Sequence, residues 1–466
     1  MSPPGPRVAR RLSWWTRYGP IVAMEVYLTT SILLFAFGPW IWPARDFTKL
    51  YLFVGAAHVA LLLGYLTAAR STPRGYFGRA PMRRLLAASI ALTLVLYVPT
   101  VVLLTGGKVS VLEAVTNPGE VYKRFQWAQE NEVATVWQTV MALVRMTLAP
   151  VLALLAPLLA RTWDALPRWQ RVAGVLAVVA NLLLFILTGR NKGLVDLLLL
   201  LPWLVALYIG NGRVRLRWPR IAVFGGVGAV MLYLFAASFV QNYSQRTGES
   251  GADLLGEVSL FGGLKSDPDH VLVRHASPLV RAAFLGLSVN QTHGYYALSM
   301  ALDKPFRSSW GLGHSAFLQL LAERLTGTEN PTPDGYPDRL ARENGWHKTV
   351  FWHTTYTWFA SDVSFPGTLV LVFFLGQIFA TTWMDSLRGQ NPYALGMFML
   401  VVTIIYYLPT NNIVLGFAEG WTSFWGLLGM WAVTRRRWIW AGARRAPPVL
   451  SSAASRPSLP LAPRPA

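Results

Sequence analysis

Long blocks of apolar residues dominate this chain and decide what it can fold into. Apolar residues make up 53% of the sequence and charged residues only 14%, and the blocks approach the roughly 20 residues that a helix needs to cross a bilayer. Backbone groups in lipid must find hydrogen-bond partners within the protein, so each block should be helical. The sequence therefore predicts an all-α, polytopic membrane helix bundle and excludes a soluble globular enzyme. About ten spans are predicted, at residues 20–38, 50–69, 85–105, 134–160, 172–188, 194–210, 221–240, 355–383, 393–409 and 413–433.

Positive charges indicate which connections face the cytoplasm. Six pieces of the chain hold 24 of the 42 Lys and Arg residues but only two acids, Asp164 and Asp385. Cytoplasmic loops of membrane proteins carry such an excess of Lys and Arg. Both termini are therefore predicted to be cytoplasmic, and the net charge of +20 reflects topology, with no nucleic-acid partner implied. The six pieces are 1–20, 70–84, 161–171, 211–220, 384–392 and 434–466.

The spans divide the chain into five predicted regions. A basic cytoplasmic N-terminus (1–19) precedes a first bundle of seven spans (20–240), which contains an outer loop at 106–133 with an interfacial amphipathic helix. A large, partly helical extracytoplasmic cap (241–354) follows, then three more spans (355–433) and a disordered cytoplasmic tail (434–466). Within the cap, residues 278–301 are predicted to lie in the interface or to re-enter the membrane, because an eleventh span would place Arg435, Arg436 and Arg437 outside.

The sequence TGRNKG at 188–193 places two cations where the charge rule disfavours them. Arg190 and Lys192 stand on the predicted outer side, close to the N-terminus of a helix whose dipole is already positive there. An anionic ligand at Arg190 would explain this, because a guanidinium binds two phosphate oxygens in parallel. The alternatives are a lipid-headgroup anchor for Arg190 and, for Lys192, an ion pair with Asp196 one helical turn later.

The cap contributes four further candidates. Arg281 and Arg307 lie beside apolar or aromatic residues near membrane-facing segments, and we interpret them as candidate anion-binding cations. His293 and His353 are candidate proton acceptors, because a histidine takes up a proton near neutral pH, although either could be a packed residue. The histidines lack the spacing of a metal site, and the chain has no cysteine, so neither a metal nor a cofactor is predicted.

Charged residues also stand inside predicted spans. Asp362 lies within the eighth span, shortly before Pro366 and Gly367, where the helix is expected to bend. A carboxylate at that depth is either functional or paired, for instance with an arginine. Glu25, Arg145 and Glu419 are further, lower-ranked intramembrane candidates, for which a buried ion pair of Arg145 with one of the acids is the structural alternative.

The arrangement of these elements resembles the oligosaccharide repeat-unit polymerases of the O-antigen polymerase (Wzy-type) family. The likeness covers the span number, the large late outer loop, the Thr188, Gly189 and Arg190 turn, and the segment HTTYTWFASDVSFPG at 353–367. In the family a Thr-rich segment leads to Asp-Phe-Gly; here Asp362 is followed by Val and Ser, and the glycine stands at 367.

The resemblance implies a metal-independent glycosyltransferase in the bacterial cytoplasmic membrane. Such an enzyme transfers a polyprenyl-pyrophosphate-linked oligosaccharide to a sugar hydroxyl of another lipid-linked unit. Arg190, Lys192, Arg281 and Arg307 would hold the pyrophosphate, and His353, His293 or Asp362 would deprotonate the hydroxyl. Implied partners are the lipid-linked oligosaccharide, membrane lipid, and assembly proteins such as a flippase or a chain-length regulator. The alternatives are an O-antigen ligase-like enzyme, a C-type lipid-dependent glycosyltransferase, and a polysaccharide or lipid transporter.

Overall fold

The computed structural model describes residues 13–43, 45–71, 77–106, 109–131, 135–209, 218–247, 257–258, 264–348, 350–389 and 391–443. Most of these residues are helical. The predictions for the start of the N-terminus (1–12), most of the loop 211–220 and most of the tail (444–466) lie outside the described residues. The helices, in chain order, are α1 (Trp14–Phe37), α2 (Thr48–Ala68), α3 (Arg79–Thr105), α4 (Val111–Thr116), α5 (Pro118–Asn131), α6 (Val136–Leu152), α7 (Leu155–Thr162), α8 (Arg168–Ile186), α9 (Lys192–Ile209), α10 (Trp218–Thr247), α11 (Pro278–Ala301), α12 (Ala316–Thr326), α13 (Tyr336–Asn344), α14 (Thr355–Met384), α15 (Pro392–Tyr407) and α16 (Ala418–Ala443).

Seven helical segments among the described residues are long and apolar enough to cross a membrane, namely α1, α2, α3, α6 with α7, α8, α9 and α14. The prediction of an all-α membrane helix bundle is confirmed at this level. The remaining predicted spans fall on α10, α15 and α16, so the count of ten stays a prediction.

The fourth predicted span, 134–160, is broken into α6 and α7. Pro157 has no N–H to donate to the carbonyl of Ala153, which weakens the helix where it breaks. Arg145 of α6 forms a two-pronged ion pair with Glu419 of α16, at 2.6 Å from Nε to Oε1 and 2.9 Å from Nη2 to Oε2. The expected pairing of Arg145 with an acid is therefore confirmed.

Helices α2 and α14 pack backbone against backbone through two glycines. A Cβ atom at Gly64 would lie 1.9 Å from the carbonyl oxygen of Phe373, and one at Gly376 would lie 2.3 Å from that of Leu61. Real Cβ atoms do not approach backbone so closely, so neither position has room for a side chain. This contact fixes α14, which carries much of the candidate site, against the first helices of the bundle.

Helix α14 is kinked between Asp362 and Gly367. Ser364 has φ 66° and ψ 170°, and Pro366 follows inside the helix. The bend expected at Pro366 and Gly367 is confirmed. Residues 365–384 after the kink are about 30 Å long at 1.5 Å per residue, which is the thickness of the hydrocarbon core of a bilayer. The part of α14 before the kink therefore lies near one end of the bundle, the end predicted from sequence to face outward.

The cap is tied to the connection between α1 and α2. Strand β1 (Trp40–Ile41) of that connection pairs antiparallel with β3 (Leu264–Ser266), which also pairs with β2 (Glu257–Val258). Asp303, just after α11, pairs with Arg45 of the same connection and with Lys49 in the first turn of α2. Since both flanks of α11 bond to one end of the α1–α2 hairpin, α11 does not carry the chain across the bundle. This geometry favours the interfacial or re-entrant interpretation of residues 278–301.

The opposite end of the bundle gathers positions predicted to be cytoplasmic. Trp383 donates to the carbonyl of Thr16 at 2.7 Å, and Tyr65 donates to that of Arg17 at 2.7 Å. Arg435 pairs with the buried Asp385 at 3.0 Å. The grouping agrees with the predicted topology, whose sidedness stays a prediction.

We expect Gly64→Ala to lower the thermal stability of the protein, because the added methyl group must push the backbone of α14 away. Overpacking of this kind costs about 1–3 kcal/mol. Gly55→Ala is the matched control, since Gly55 lies in the same helix with no atom near its would-be Cβ, and its melting temperature should not fall. Thermal melting of both variants in detergent measures the difference, and equal melting temperatures would contradict the packing described here.

Candidate functional site

The TGRNKG segment forms a tight turn between α8 and α9, covered by α5. Gly189 has φ 63°, a left-handed conformation that glycine adopts without strain. A Cβ atom there would lie 2.3 Å from the carbonyl oxygen of Pro118, at the start of α5. From α10, the Asn242 side-chain amide donates to the Gly189 carbonyl at 2.6 Å. The turn is thus fixed between α5 and α10 as well as between its own helices.

Arg190 is half-buried beneath α5. Its Cζ lies 4.1 Å from the ring centroid of Phe125, within the range of a cation–π interaction. Burial lowers the pKa of Arg190, and Tyr122 acts in the opposite direction. The side chain remains a cation, because the ordinary pKa of arginine is above 12. The N–H groups of a guanidinium are the donors through which arginine binds anions such as phosphate.

Lys192 forms an ion pair with Asp196, which was the alternative to anion binding that the sequence left open for this lysine. The other oxygen of Asp196 accepts a hydrogen bond from the Tyr407 hydroxyl at 2.8 Å. The backbone carbonyl of Tyr407 in turn accepts from the Thr355 hydroxyl at 3.1 Å. The start of α9, the end of α15 and the start of α14 are therefore joined by side-chain hydrogen bonds. We call this meeting point, built from Lys192, Asp196, Thr355 and Tyr407, the outer junction.

The outer junction brings together the two sequence segments that support the family resemblance. Helix α11 packs on it directly, since a Cβ atom at Gly294 would lie 2.4 Å from the carbonyl oxygen of Pro409 and 3.2 Å from the Thr354 side chain. Thr354 caps α14, accepting from the backbone N–H of Thr357 at 3.2 Å. The Thr-rich segment is thus held between the cap and the spans.

Asp362 is buried, with 8% of its side chain exposed, and it organises a loop of the cap. Its carboxylate accepts hydrogen bonds from the backbone N–H groups of Gly311, Gly313 and His314 at 3.0, 2.9 and 2.8 Å. The His314 ring is a fourth partner, with Nδ1 at 2.9 Å. Residues 309–314, here called the carboxylate loop, therefore wrap around Asp362. Asp362 is therefore paired with the ring of His314 and with three backbone N–H groups. The sequence had suggested an arginine as the structural partner, and the structure shows none of these contacts to be from an arginine.

Backbone strain is concentrated around Asp362. Trp310 (φ 54°) and Ser364 (φ 66°) are the non-glycine residues with positive φ in the described part of the chain. Trp310 lies in the carboxylate loop, and Ser364 follows Asp362 by two residues. Such conformations cost about 1–3 kcal/mol each and cluster at functional sites. Trp310 is also 90% exposed, so the strained loop presents an indole to its surroundings.

His293 is held as a neutral structural group. Its Nδ1 lies 2.7 Å from the carbonyl oxygen of Val289, and its Nε2 accepts from the backbone N–H of Trp352 at 2.8 Å. A carbonyl only accepts and an amide N–H only donates, so Nδ1 carries the proton and the Nε2 lone pair is used. Burial lowers the pKa of His293 to about 4. These contacts fix residues 352–354 against α11 and leave little basis for the predicted role as proton acceptor.

His353 is buried next to the outer junction, and its ring centroid lies 6.4 Å from that of Trp358. Burial first, and then the neighbouring His293, lowers the pKa of His353 to about 3. The ring is therefore neutral at physiological pH.

The two cap arginines have protein partners away from the TGRNKG turn. Arg281 donates to the carbonyls of Arg274 at 3.2 Å and Ala276 at 3.4 Å, just before its own helix. Arg307 pairs with Asp334 at 2.9 Å, and 59% of its side chain is exposed. The contacts described for Arg281 and Arg307 do not link them to Arg190, so the predicted set of four pyrophosphate-binding cations is not seen as one cluster.

Two residues of the site were missed from sequence, Tyr407 and His314. Tyr407 ends an apolar span and gives no local signal, since its partner Asp196 is 211 residues away. His314 follows WGLG, where the glycines could have indicated a tight turn that exposes backbone N–H groups. No group of three or more metal-ligating side chains is found in the described ranges.

Comparison with known proteins returned no match: no family model, no curated protein and no solved structure is significantly similar to this chain.

We expect the protein to lose stability as the pH falls below about 6.5, partly because of His353. Its pKa of about 3 in the folded state lies below the ordinary value of about 6.5, so only the unfolded chain takes up this proton between those values. His353→Gln should therefore show a smaller drop in melting temperature than the wild type between about pH 7.5 and about pH 5.

His275→Gln, at an exposed position of the cap, is the control and should follow the wild type. An unchanged pH dependence in His353→Gln would show that His353 does not carry this effect.

Proposed function

We propose that this protein is a membrane glycan polymerase. It would transfer an oligosaccharide chain from polyprenyl pyrophosphate to a sugar hydroxyl of another lipid-linked unit, on the outer face of a bacterial cytoplasmic membrane. The observation that carries this proposal is the outer junction, where hydrogen bonds through Asp196 and Tyr407 connect the TGRNKG turn to the Thr-rich start of α14. Segments more than 160 residues apart in the sequence thereby form the boundary of one site.

The leaving group of such a reaction is a lipid pyrophosphate, which gains negative charge as the glycosidic bond breaks. Arg190 stands at the turn before α9, and Lys192 begins that helix. Cations and a helix N-terminus directed at a developing anion stabilise the transition state. Lys192 is paired with Asp196. Arg190 is the principal phosphate-binding candidate because its planar guanidinium can donate to two phosphate oxygens in parallel. The partial burial of Arg190 strengthens its attraction for an anion, because the local dielectric constant is lower than that of water.

The surroundings of Arg190 suit a donor that arrives from the bilayer. Helix α5 covers the turn with Tyr122 and Phe125, which provide apolar and aromatic surface beside the cation. A polyprenyl chain would remain in the lipid while its pyrophosphate reaches the outer rim. The cap covers the same end of the bundle. Its aromatic side chains, such as the exposed Trp310, offer surfaces on which sugar rings stack. No resident metal or cofactor is required by this reaction.

We expect Arg190→Ala to lower elongation by about 10²–10³-fold, the usual effect of removing one group that stabilises a developing oxyanion. The assay supplies purified protein with polyprenyl-pyrophosphate-linked oligosaccharide extracted from cells that lack the protein, without nucleotide sugar. Elongation is measured as longer lipid-linked chains on a gel. Arg190→Lys should keep more activity than Arg190→Ala but less than the wild type, because lysine lacks the planar fork.

Arg342→Ala is the matched control, since Arg342 is an exposed cap arginine outside the site, and it should elongate like the wild type. Full activity in Arg190→Ala would show that Arg190 is not needed to bind the pyrophosphate, which would contradict the proposal. A wild-type protein that elongates nothing, but moves labelled lipid-linked sugar across vesicles, would indicate a transporter. Transfer only to an acceptor other than a lipid-linked unit would indicate a ligase.

A further inference from the structure

The geometry around Asp362 fixes the proton on one nitrogen of His314. Nδ1 of His314 lies 2.9 Å from Oδ2 of Asp362. The carboxylate only accepts, so Nδ1 carries a proton, and in the neutral ring Nε2 carries the lone pair. Nε2 is buried and makes no hydrogen bond to any residue that the structure describes, while 22% of the His314 side chain as a whole is exposed. A histidine oriented by a carboxylate, with its other nitrogen available, is the arrangement of a general base.

Asp362 is a poor proton acceptor in its own right. Its two oxygens already receive three backbone N–H groups and the ring of His314. Protonating the carboxylate would weaken these bonds and release the strained carboxylate loop. His293 is excluded by a different contact, because its Nε2 already accepts from Trp352. Compared with Asp362 and His293, His314 has the lone pair that the reaction needs. Unlike His353, the third predicted residue, His314 is oriented by a carboxylate among the described contacts.

The surrounding structure holds the His314 ring in place. The backbone N–H of Ser309 donates to the carbonyl of Ser361 at 2.9 Å, at the start of the carboxylate loop. Just beyond the loop, the N–H of Phe317 donates to the carbonyl of Gly416 at 3.0 Å. A base that is positioned before the substrate arrives loses little entropy on reaction.

His314 is also linked to the outer junction. Asn412 donates its side-chain amide to the backbone carbonyl of His314. Asn412 follows Tyr407 by five residues, and the chain turns between them, with the N–H of Asn411 donating to the carbonyl of Tyr407 at 3.1 Å. The dyad of His314 and Asp362 and the Asp196 to Thr355 connection therefore border the same short turn after α15.

We propose that His314 is the general base of the transfer reaction and that Asp362 is its positioning residue, an assignment that rests on the proposed function. Nε2 takes the proton of the acceptor hydroxyl as that oxygen bonds to the anomeric carbon of the donor sugar. The bond from the anomeric carbon to the phosphate oxygen breaks, and its electron pair leaves with the pyrophosphate. The imidazolium then returns its proton to water. Nε2 is buried, so side chains next to it must move aside when the acceptor binds, while the hydrogen-bonded backbone of the carboxylate loop stays in place.

His314→Asn tests the base without removing the contact to Asp362. The Asn side-chain amide stands near the place of Nδ1 and still donates to the carboxylate, whereas nothing replaces Nε2. We expect elongation by this variant to fall by about 10²–10⁴-fold, the range for losing general-base catalysis, with less than about a threefold change in KM for the donor. His347→Asn, at an exposed position of the cap, is the matched control and should keep wild-type activity.

His314→Gly adds a readout that a purely structural role would not produce. The space left by the ring should admit free imidazole, and added imidazole should restore a measurable part of the elongation. Asp362→Asn should lower kcat and should not respond to imidazole, because its histidine is present but poorly oriented. Melting temperatures of all variants are measured alongside, so that an unfolded variant is recognised.

The outcomes separate this assignment from the proposed function. If the wild type elongates lipid-linked chains and folded His314→Asn does so equally well, the assignment is overturned and the polymerase proposal stands. If His314→Gly is folded and inactive but imidazole restores nothing, His314 has only a structural role and the assignment also fails. If the wild type itself elongates nothing, the polymerase proposal and this assignment both fall.

Discussion

Tyr407 joins the outer ends of three helices, and the candidate site depends on that connection. Its hydroxyl bonds to Asp196 of α9, its own backbone belongs to α15, and its carbonyl accepts from Thr355 of α14. Polar groups in a low-dielectric interior must be paired, and an unpaired one costs more than in water. Breaking the Tyr407 to Asp196 bond would leave a carboxylate with one partner fewer close to Lys192. The TGRNKG turn and the Thr-rich segment are therefore held in one arrangement by the cost of leaving these groups unpaired.

The need to pair buried polar groups also shapes the cap. Asp362 is a carboxylate inside an apolar helix, and its charge is satisfied by a loop that comes from 48 residues earlier in the chain. Four hydrogen bonds to one carboxylate offset the strained backbone of Trp310, and the kink at Ser364 lies directly beside it. The loop is thereby fixed at the outer end of α14, with His314 on its inner side and Trp310 exposed. A rigid loop of this kind is suited to holding a saccharide acceptor in a fixed orientation.

Local sequence patterns predicted those features of the fold that depend on residues close together in the chain. The helical class, most of the apolar helices, the Lys192 to Asp196 ion pair and the bend near Pro366 each follow from residues within a few turns of one another. The break between α6 and α7 and the partners of Asp362, Asp196 and His293 depend on how distant helices pack, which a single sequence does not reveal. Arg281 and Arg307 stood out by composition, whereas the structure pairs them with cap carbonyls and with Asp334. Charge and residue type directed the prediction to one end of the bundle, and long-range hydrogen bonds show which residues contact one another there.

The central claim is that a lipid pyrophosphate binds at the outer junction beside Arg190. The most direct measurement is photolabelling of the protein in lipid nanodiscs with a polyprenyl pyrophosphate that carries a diazirine next to the pyrophosphate. Labelled peptides are identified by mass spectrometry, with unlabelled polyprenyl pyrophosphate as competitor. The account predicts competed labelling within residues 118–125 of α5 and 188–196 of the turn and α9. Competed labelling at the opposite end of the bundle, in residues 161–171 or 383–389, would contradict it.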